Sequence, residues 1–198
     1  MPPADLLESP FLLIAPACEV WEWIRREVLA ETGSIHNPEH SHLNDACIGV
    51  LWASSAFIKK GRSVLGQAEQ VMIRVGDWQK ARQEQQMREW FGEELQFLIT
   101  LAADYCAQCT EAEFCALVEH ELYHIAQATD QCGTPKFAQD GLPKLEMRGH
   151  DVEGLVGLVR RYGASNEVLQ LIDAASRPPE VANINISRAC ATCLLKLA

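Results

Sequence analysis

Apolar side chains recur every three or four residues between residues 18 and 31, which predicts an amphipathic N-terminal helix. The apolar positions are Val20, Trp23, Ile24 and Val28. Gly33 follows them, and glycine is common just beyond the end of a helix. Residues 34–45 are rich in turn-forming side chains and are therefore predicted to be a loop.

Apolar runs in the middle of the chain have the composition of β-strands. Residues 46–57 and 63–75 form two such runs, and the Lys-Lys-Gly between them fits a hairpin connection. Residues 94–105 form a third run, whose alternating members share one predicted face: Leu95, Phe97, Ile99 and Leu101. The pattern therefore predicts a three-stranded, mainly antiparallel sheet that follows the N-terminal helix.

Three further helices are predicted in the second half of the chain. Residues 77–91 are rich in strong helix formers and predict a surface helix with Asp77 as its N-cap. A second helix begins near residue 110. A third has apolar residues on one face between residues 152 and 162, and Gly163 supplies its stop signal. Strands and helices together predict an α+β fold in one domain over residues 1–198, with the tail at 177–198 unplaced.

The helix near residue 110 carries two histidines one turn apart. Thr110-Glu-Ala-Glu113 fits a capping box, which satisfies two amide donors at a helix start. The predicted apolar stripe consists of Phe114, Leu117, Val118, Leu122 and Ile125. His120 and His124 project together from a neighbouring face, and Gly133 is predicted to end the helix.

Composition and charge narrow the classes of function. The chain has 198 residues and a formal net charge of −10, which repels phosphate backbones and anionic lipid headgroups, so neither nucleic acid nor a membrane is an expected partner. No basic segment followed by an apolar core marks a signal peptide, and no apolar run reaches the roughly 18 residues of a membrane span. A cytoplasmic protein is expected.

The pattern His120-Glu121-x-x-His124 is typical of a zinc-dependent hydrolase. Histidines at i and i+4 on a helix converge on one point, where neutral imidazole nitrogens bind zinc. Glu121 points about 100° around the helix, so it is placed to act as a general base and not as a ligand. Chance alone produces this pattern in such a chain with a probability of about 2 percent. We therefore interpret His120 and His124 as zinc ligands and Glu121 as the catalytic base.

A catalytic zinc site needs a third protein ligand. His150 stands at the start of the predicted helix at 152–162 and is the preferred candidate. Glu153, one turn further along, is the alternative, and would otherwise orient an imidazole. His40 and His42 are better interpreted as loop and cap residues, although an extended i, i+2 pair is able to bind metal.

Two CxxC pairs are present in the chain's eight cysteines, Cys106 with Cys109 and Cys190 with Cys193. They are about 80 residues apart, in contrast to the usual 15 to 20 of a four-cysteine zinc site. A joint zinc site and a redox pair are alternatives, but packed reduced thiols are favoured.

The sequence HELYH at 120–124, followed by DGLPKLEMRGHDVEGLVGLVRRYG at 140–163, resembles the phage and prophage metallopeptidase family. The upstream segments HSHLNDACIGVLWA, KKGRSVLGQA and LQFLITLAADY also resemble that family's strands, so the likeness covers nearly the whole chain. His150-Asp-Val-Glu153 is more distantly similar to the third-ligand segment of SprT-like zinc proteases. The resemblance implies a small zincin-like domain, with His150 as the third ligand on a helix downstream of the HExxH helix.

These observations together predict a zinc metallopeptidase of phage type that hydrolyses a peptide or protein substrate. The substrate is expected to lie extended along a strand edge. The alternative is a zinc-stabilised, phage-encoded protein that binds a host component and cleaves nothing. Glu121 favours the enzyme, because a purely structural zinc site does not need a base.

Overall fold

A computed structural model describes residues 2–59, 62–149 and 164–179 of the chain. The strands are β1 (Ile14–Pro16), β2 (Ile48–Ala53), β3 (Phe57–Lys59), β4 (Arg62–Val64), β5 (Gly66–Gln70), β6 (Phe97–Ala102), β7 (Ile125–Gln127) and β8 (Leu145–Met147). The α-helices are α1 (Ala4–Leu7), α2 (Cys18–Ile24), α3 (Asp77–Phe91), α4 (Ala103–Cys106), α5 (Glu111–Tyr123) and α6 (Asn166–Ala175). The mixture confirms the α+β class. The predicted helix at 152–162 and the residues His150, Glu153, Cys190 and Cys193 lie outside the described residues.

The main sheet has four strands in the order β1-β2-β6-β5, where the sequence predicted three. The pairs β1/β2 and β5/β6 are antiparallel, whereas β2 and β6 are parallel. The two runs predicted to pair as a hairpin, which became β2 and β5, do not pair with each other because β6 lies between them. The predicted turn at Lys-Lys-Gly instead joins the short antiparallel pair β3 and β4.

The two faces of the sheet pack against different helices. Side chains that alternate along β2 and β6 face the larger core, which also contains residues of α2 and α5: Val50, Trp52, Phe97, Ile99 and Leu101. The opposite face carries Leu51 and Leu98, which pack near residues of α3. Leu95 belongs to this second cluster, so the prediction that it shares a face with Phe97 was wrong. Leu95 precedes the first residue of β6, and strand alternation does not extend to it.

The surface helix predicted at 77–91 is confirmed as α3, which has no buried residue. Its N-cap is Gly76 and not the predicted Asp77, which is the first helical residue. Gly92 ends the helix at a φ of 75°, a left-handed conformation that glycine adopts without strain.

The predicted N-terminal helix is also present, as α2 followed by a π-helical segment at Arg25–Leu29.

The capping box predicted for α5 is present. The Thr110 hydroxyl accepts a hydrogen bond from the Glu113 amide at 3.3 Å, and the Thr110 amide donates to the Glu113 carboxylate at 2.8 Å. The helix ends at Tyr123, well before the predicted stop at Gly133. That prediction was wrong because Ile125 pairs with Met147, so the chain is already in β7 at this point.

Two further helices are present among the described residues. The loop predicted at 34–45 contains a 3₁₀-helix at Pro38–Leu43, whose N-cap Asn37 accepts a hydrogen bond from the Glu39 amide at 3.0 Å. Helix α6 was not predicted and has no buried residue. In the part of the chain that the structure describes, no helix is both long enough and apolar enough to span a bilayer.

Candidate metal centre

The two histidines of the HExxH pattern lie at the C-terminal end of α5. His120 is in the last turn, and His124 is the C-cap residue, with helical backbone angles of −73° and −11°. Their Nε2 atoms are 3.2 Å apart, and their rings meet at 79°. The helix therefore brings the Nε2 atoms of the two histidines close together.

The backbone of Arg148 fixes the orientation of the His124 ring. Nδ1 of His124 lies 2.8 Å from the Arg148 carbonyl oxygen, which can only accept, so Nδ1 carries the proton. The Arg148 amide in turn donates to the His124 carbonyl at 2.8 Å. The tautomer that results leaves a lone pair on Nε2, the nitrogen that faces His120. This is the arrangement in which metal-binding histidines are commonly held.

The two imidazoles fit a zinc ion in both chemistry and spacing. Two nitrogens that bind one tetrahedral ion at 2.0 to 2.1 Å lie about 3.3 Å apart. The separation of 3.2 Å between the two Nε2 atoms is close to this value. A metal centre needs more than two protein ligands, however, and residues 2–59, 62–149 and 164–179 contain no group of three His, Cys, Asp or Glu side chains arranged to hold an ion. The predicted third ligand, His150, and its alternative, Glu153, lie outside those residues.

Glu121 is completely buried, with an exposed fraction of 0%. Its carboxylate lies against Gly66, the first residue of β5, where an added Cβ atom would stand 2.7 Å from Glu121 Oε1. The Glu121 carboxylate is therefore held between the helix that carries it and an edge strand of the main sheet. Burial of a carboxylate restricts its access to water, which is useful in a group that exchanges a proton with a bound substrate or a single water molecule.

The histidines of the 3₁₀-helix contact the end of α5 and the start of β7. His40 is 1% exposed and its ring meets that of Tyr123 edge-on at 4.5 Å, while His42 Nε2 donates to the Ile125 carbonyl at 2.8 Å. Burial lowers the pKa of His40 to about 4, so its ring is neutral at neutral pH. Among the described residues these histidines form no metal-ligand group. Both histidines lie inside the 3₁₀-helix, so the expected loop and cap role was wrong: His40 is a buried residue, and His42 donates to a strand carbonyl.

Of the two CxxC pairs, the structure describes Cys106 and Cys109, and both are packed thiols. Cys106 is 4% exposed and belongs to the main core, and burial raises its pKa to about 12. The Cys109 thiol donates to the Cys106 carbonyl at 3.6 Å. A thiol with a pKa this high is a poor nucleophile and a poor metal ligand in its resting state. The structure thus favours the packed-thiol interpretation for this pair, and its predicted partners Cys190 and Cys193 lie outside the described residues.

Two components of the site carried no signal in the sequence. The Arg148 carbonyl that orients His124 is a backbone group, so no side-chain pattern points to it. Gly66 stands within a strand-like run, and glycine in a strand signals only a bulge or a close approach of unknown partner. Both contacts depend on how β5 and β8 pack beside α5, which is a tertiary property.

A family model of known proteins matches most of the chain. Residues 21–176 match the family model described as "Putative phage metallopeptidase". No curated protein and no solved structure matches the chain. The matched region contains the end of α2, the whole main sheet except β1, and the helix that carries both histidines and Glu121. It covers well over half of the chain, which therefore belongs to this metallopeptidase family.

Proposed function

We propose that the protein is a zinc-dependent peptidase in which His120 and His124 hold the metal and Glu121 is the general base. The observation that carries the proposal is the pair of Nε2 atoms 3.2 Å apart on one helix, with a buried glutamate between them in sequence. Membership of a metallopeptidase family supports a metal cofactor and a hydrolytic reaction. Zinc is the proposed ion because two imidazole ligands one turn apart on an HExxH helix suit it.

In the proposed mechanism each residue has a separate task. Zinc held by His120 and His124 would activate a water molecule and polarise the scissile carbonyl. Glu121 accepts a proton from the attacking water and then delivers it to the leaving amine, so the carboxylate returns to its ionised form. His124 keeps one tautomer throughout because its Nδ1 proton is engaged by the Arg148 carbonyl.

The substrate in this proposal is an extended peptide that lies along β5. This strand is at the end of the main sheet and packs beside α5, with its first residue against Glu121. Strand addition supplies backbone hydrogen bonds that do not depend on the substrate's sequence, and side-chain pockets then set specificity. In this arrangement the scissile bond of the peptide lies beside His120 and His124.

The proposal is tested with purified protein and a pool of unstructured peptides, with cleavage followed by mass spectrometry. We expect cleavage that is lost with the chelator 1,10-phenanthroline and restored when zinc is added back. The isomer 1,7-phenanthroline, which cannot chelate, is the matched control and should leave cleavage intact. Cleavage that persists in metal-free protein would contradict the proposal. Bound zinc without cleavage of any peptide would favour the zinc-stabilised interaction protein.

The proposed third ligand is His150, with Glu153 as the alternative, and the two have different consequences on substitution. Loss of a ligand weakens zinc binding by more than the roughly 10- to 100-fold typical of residues that only orient ligands. We therefore expect His150→Ala to lose zinc to a mild chelator and Glu153→Ala to retain most of it. The reverse order of sensitivity would assign the third position to Glu153.

A further inference from the structure

The contact between Gly66 and Glu121 joins two elements that are far apart in sequence. Gly66 begins β5, where it pairs with Leu101 of β6. An ideal Cβ atom at Gly66 would stand 2.7 Å from Oε1 of Glu121, 3.1 Å from its Cδ and 2.9 Å from Cδ1 of Leu117. Real Cβ atoms essentially never approach another heavy atom closer than 3.0 Å. Any side chain at position 66 therefore requires something to move.

The glycine is needed for space and not for its backbone conformation. Positive φ angles occur at Gly92, Gly133 and Gly141 among the described residues, and Gly66 is not one of them. Its backbone is an ordinary strand conformation that any residue adopts. What distinguishes the position is the close approach of the α5 side chains, which is a recognised use of glycine within a strand.

If a methyl group were present, the side chains of Glu121 and Leu117 would shift, and the strand would not. The backbone around Gly66 is held by the pairing of β5 with β6 and by the Ala102 amide, which donates to the Leu65 carbonyl at 2.8 Å. The Glu121 carboxylate is at the far end of a side chain with three rotatable bonds, so it moves at lower cost. A small displacement of a catalytic group is enough to reduce its effectiveness strongly.

We propose that Gly66 is a positioning residue that sets where the Glu121 carboxylate rests, because the missing Cβ leaves the space that Oε1 occupies. The part of this inference that concerns catalysis rests on the proposed function, whereas the contact itself does not. The sheet edge that is expected to receive the substrate thus also fixes the base. Substrate position and base position are then set by the same strand.

The catalytic consequence is tested with Gly66→Ala beside a matched control, Gly49→Ala. Gly49 is an interior residue of β2 in the same sheet, and its Cβ would be even more closely crowded. The crowding side chains are on the face opposite to α5: Leu95, Leu98 and Phe91. We expect Gly66→Ala to keep its zinc and a KM within about twofold of the wild type while kcat falls by about 10- to 100-fold. Gly49→Ala should lower the melting temperature and leave kcat unchanged. Equal losses of kcat in the two variants would overturn the proposal.

A second measurement does not depend on activity. The drop in melting temperature caused by Gly66→Ala is measured in the wild type and again in Glu121→Ala, where the carboxylate is absent. We expect the drop in the second background to be about half as large or less, because the methyl group then enters vacated space. If Gly66→Ala lowers the melting temperature by the same amount in both backgrounds, the proposal is overturned even in an active enzyme. Coupled drops in a protein that cleaves no peptide would support the contact and count against the proposed function.

Discussion

Glu121→Gln should reduce peptide cleavage by about 10²- to 10⁴-fold while zinc content and melting temperature change little. The amide has the size and shape of the carboxylate, so it fits the same buried space between α5 and Gly66. It cannot accept a proton from water, however, and the proposed reaction begins with that transfer. The measurement is kcat on a peptide identified from the pool, together with zinc content from elemental analysis.

Glu119→Gln is the matched control for this experiment. Glu119 lies two residues before Glu121 on the same helix and accepts a hydrogen bond from the Asn37 side chain at 3.1 Å. A glutamine side-chain oxygen can still accept that bond, so both folding and activity should be preserved. A Glu121→Gln variant that cleaves at the wild-type rate would show that another group is the base, and the proposed mechanism would be abandoned.

The double variant His120→Ala with His124→Ala should contain no zinc, whereas the wild type should contain about one equivalent. Removal of both imidazoles leaves at most one proposed ligand, which cannot hold the ion against dilution. Zinc should also stop raising the melting temperature. An ion at 1,000 times its Kd stabilises a folded protein by about 4 kcal/mol, and this contribution disappears with the site.

His42→Gln is the control for the loss of an imidazole. Glutamine can still donate to the Ile125 carbonyl, the bond that His42 makes at 2.8 Å, so this variant should bind zinc as the wild type does. Elemental analysis and a thermal titration with zinc are run on all three proteins. Full zinc occupancy in the double variant would move the metal site to other residues, of which the cysteine pairs are the first to examine.

Local signals in the sequence predicted local structure well. The start of α5 was predicted because Thr110 and Glu113 are three residues apart and satisfy each other's donors. The end of α5 was not, because it depends on the pairing of Ile125 with Met147, more than twenty residues further along the chain. Apolar periodicity around Ile125 is compatible with either a helix or a short buried strand, and only tertiary pairing separates the two.

The order of the strands in the main sheet could not be predicted from the sequence for a similar reason. The strands β2, β5 and β6 were each predicted, but nothing in their sequences shows that β6 lies between the other two. The strand β1 has only three residues, too few for an alternating pattern. For the candidate site, the spacing of His120 and His124 indicated which side chains converge. Their neighbours are Gly66, which begins β5, and Arg148, which lies just beyond β8, and the positions of these two strands beside α5 could not be predicted.

In the proposed zinc site, the placement of His124 at the junction of α5 and β7 would couple the metal to the β7–β8 hairpin, the antiparallel pair that these two strands form. Its ring is oriented by the Arg148 carbonyl, just beyond β8, and its own carbonyl accepts from the Arg148 amide. An ion bound at His124 and the docked hairpin would therefore stabilise each other, and thermodynamic linkage makes the effect reciprocal. A molecule that binds more tightly to the docked hairpin would raise the affinity for zinc by a given factor, and zinc would raise the affinity for that molecule by the same factor.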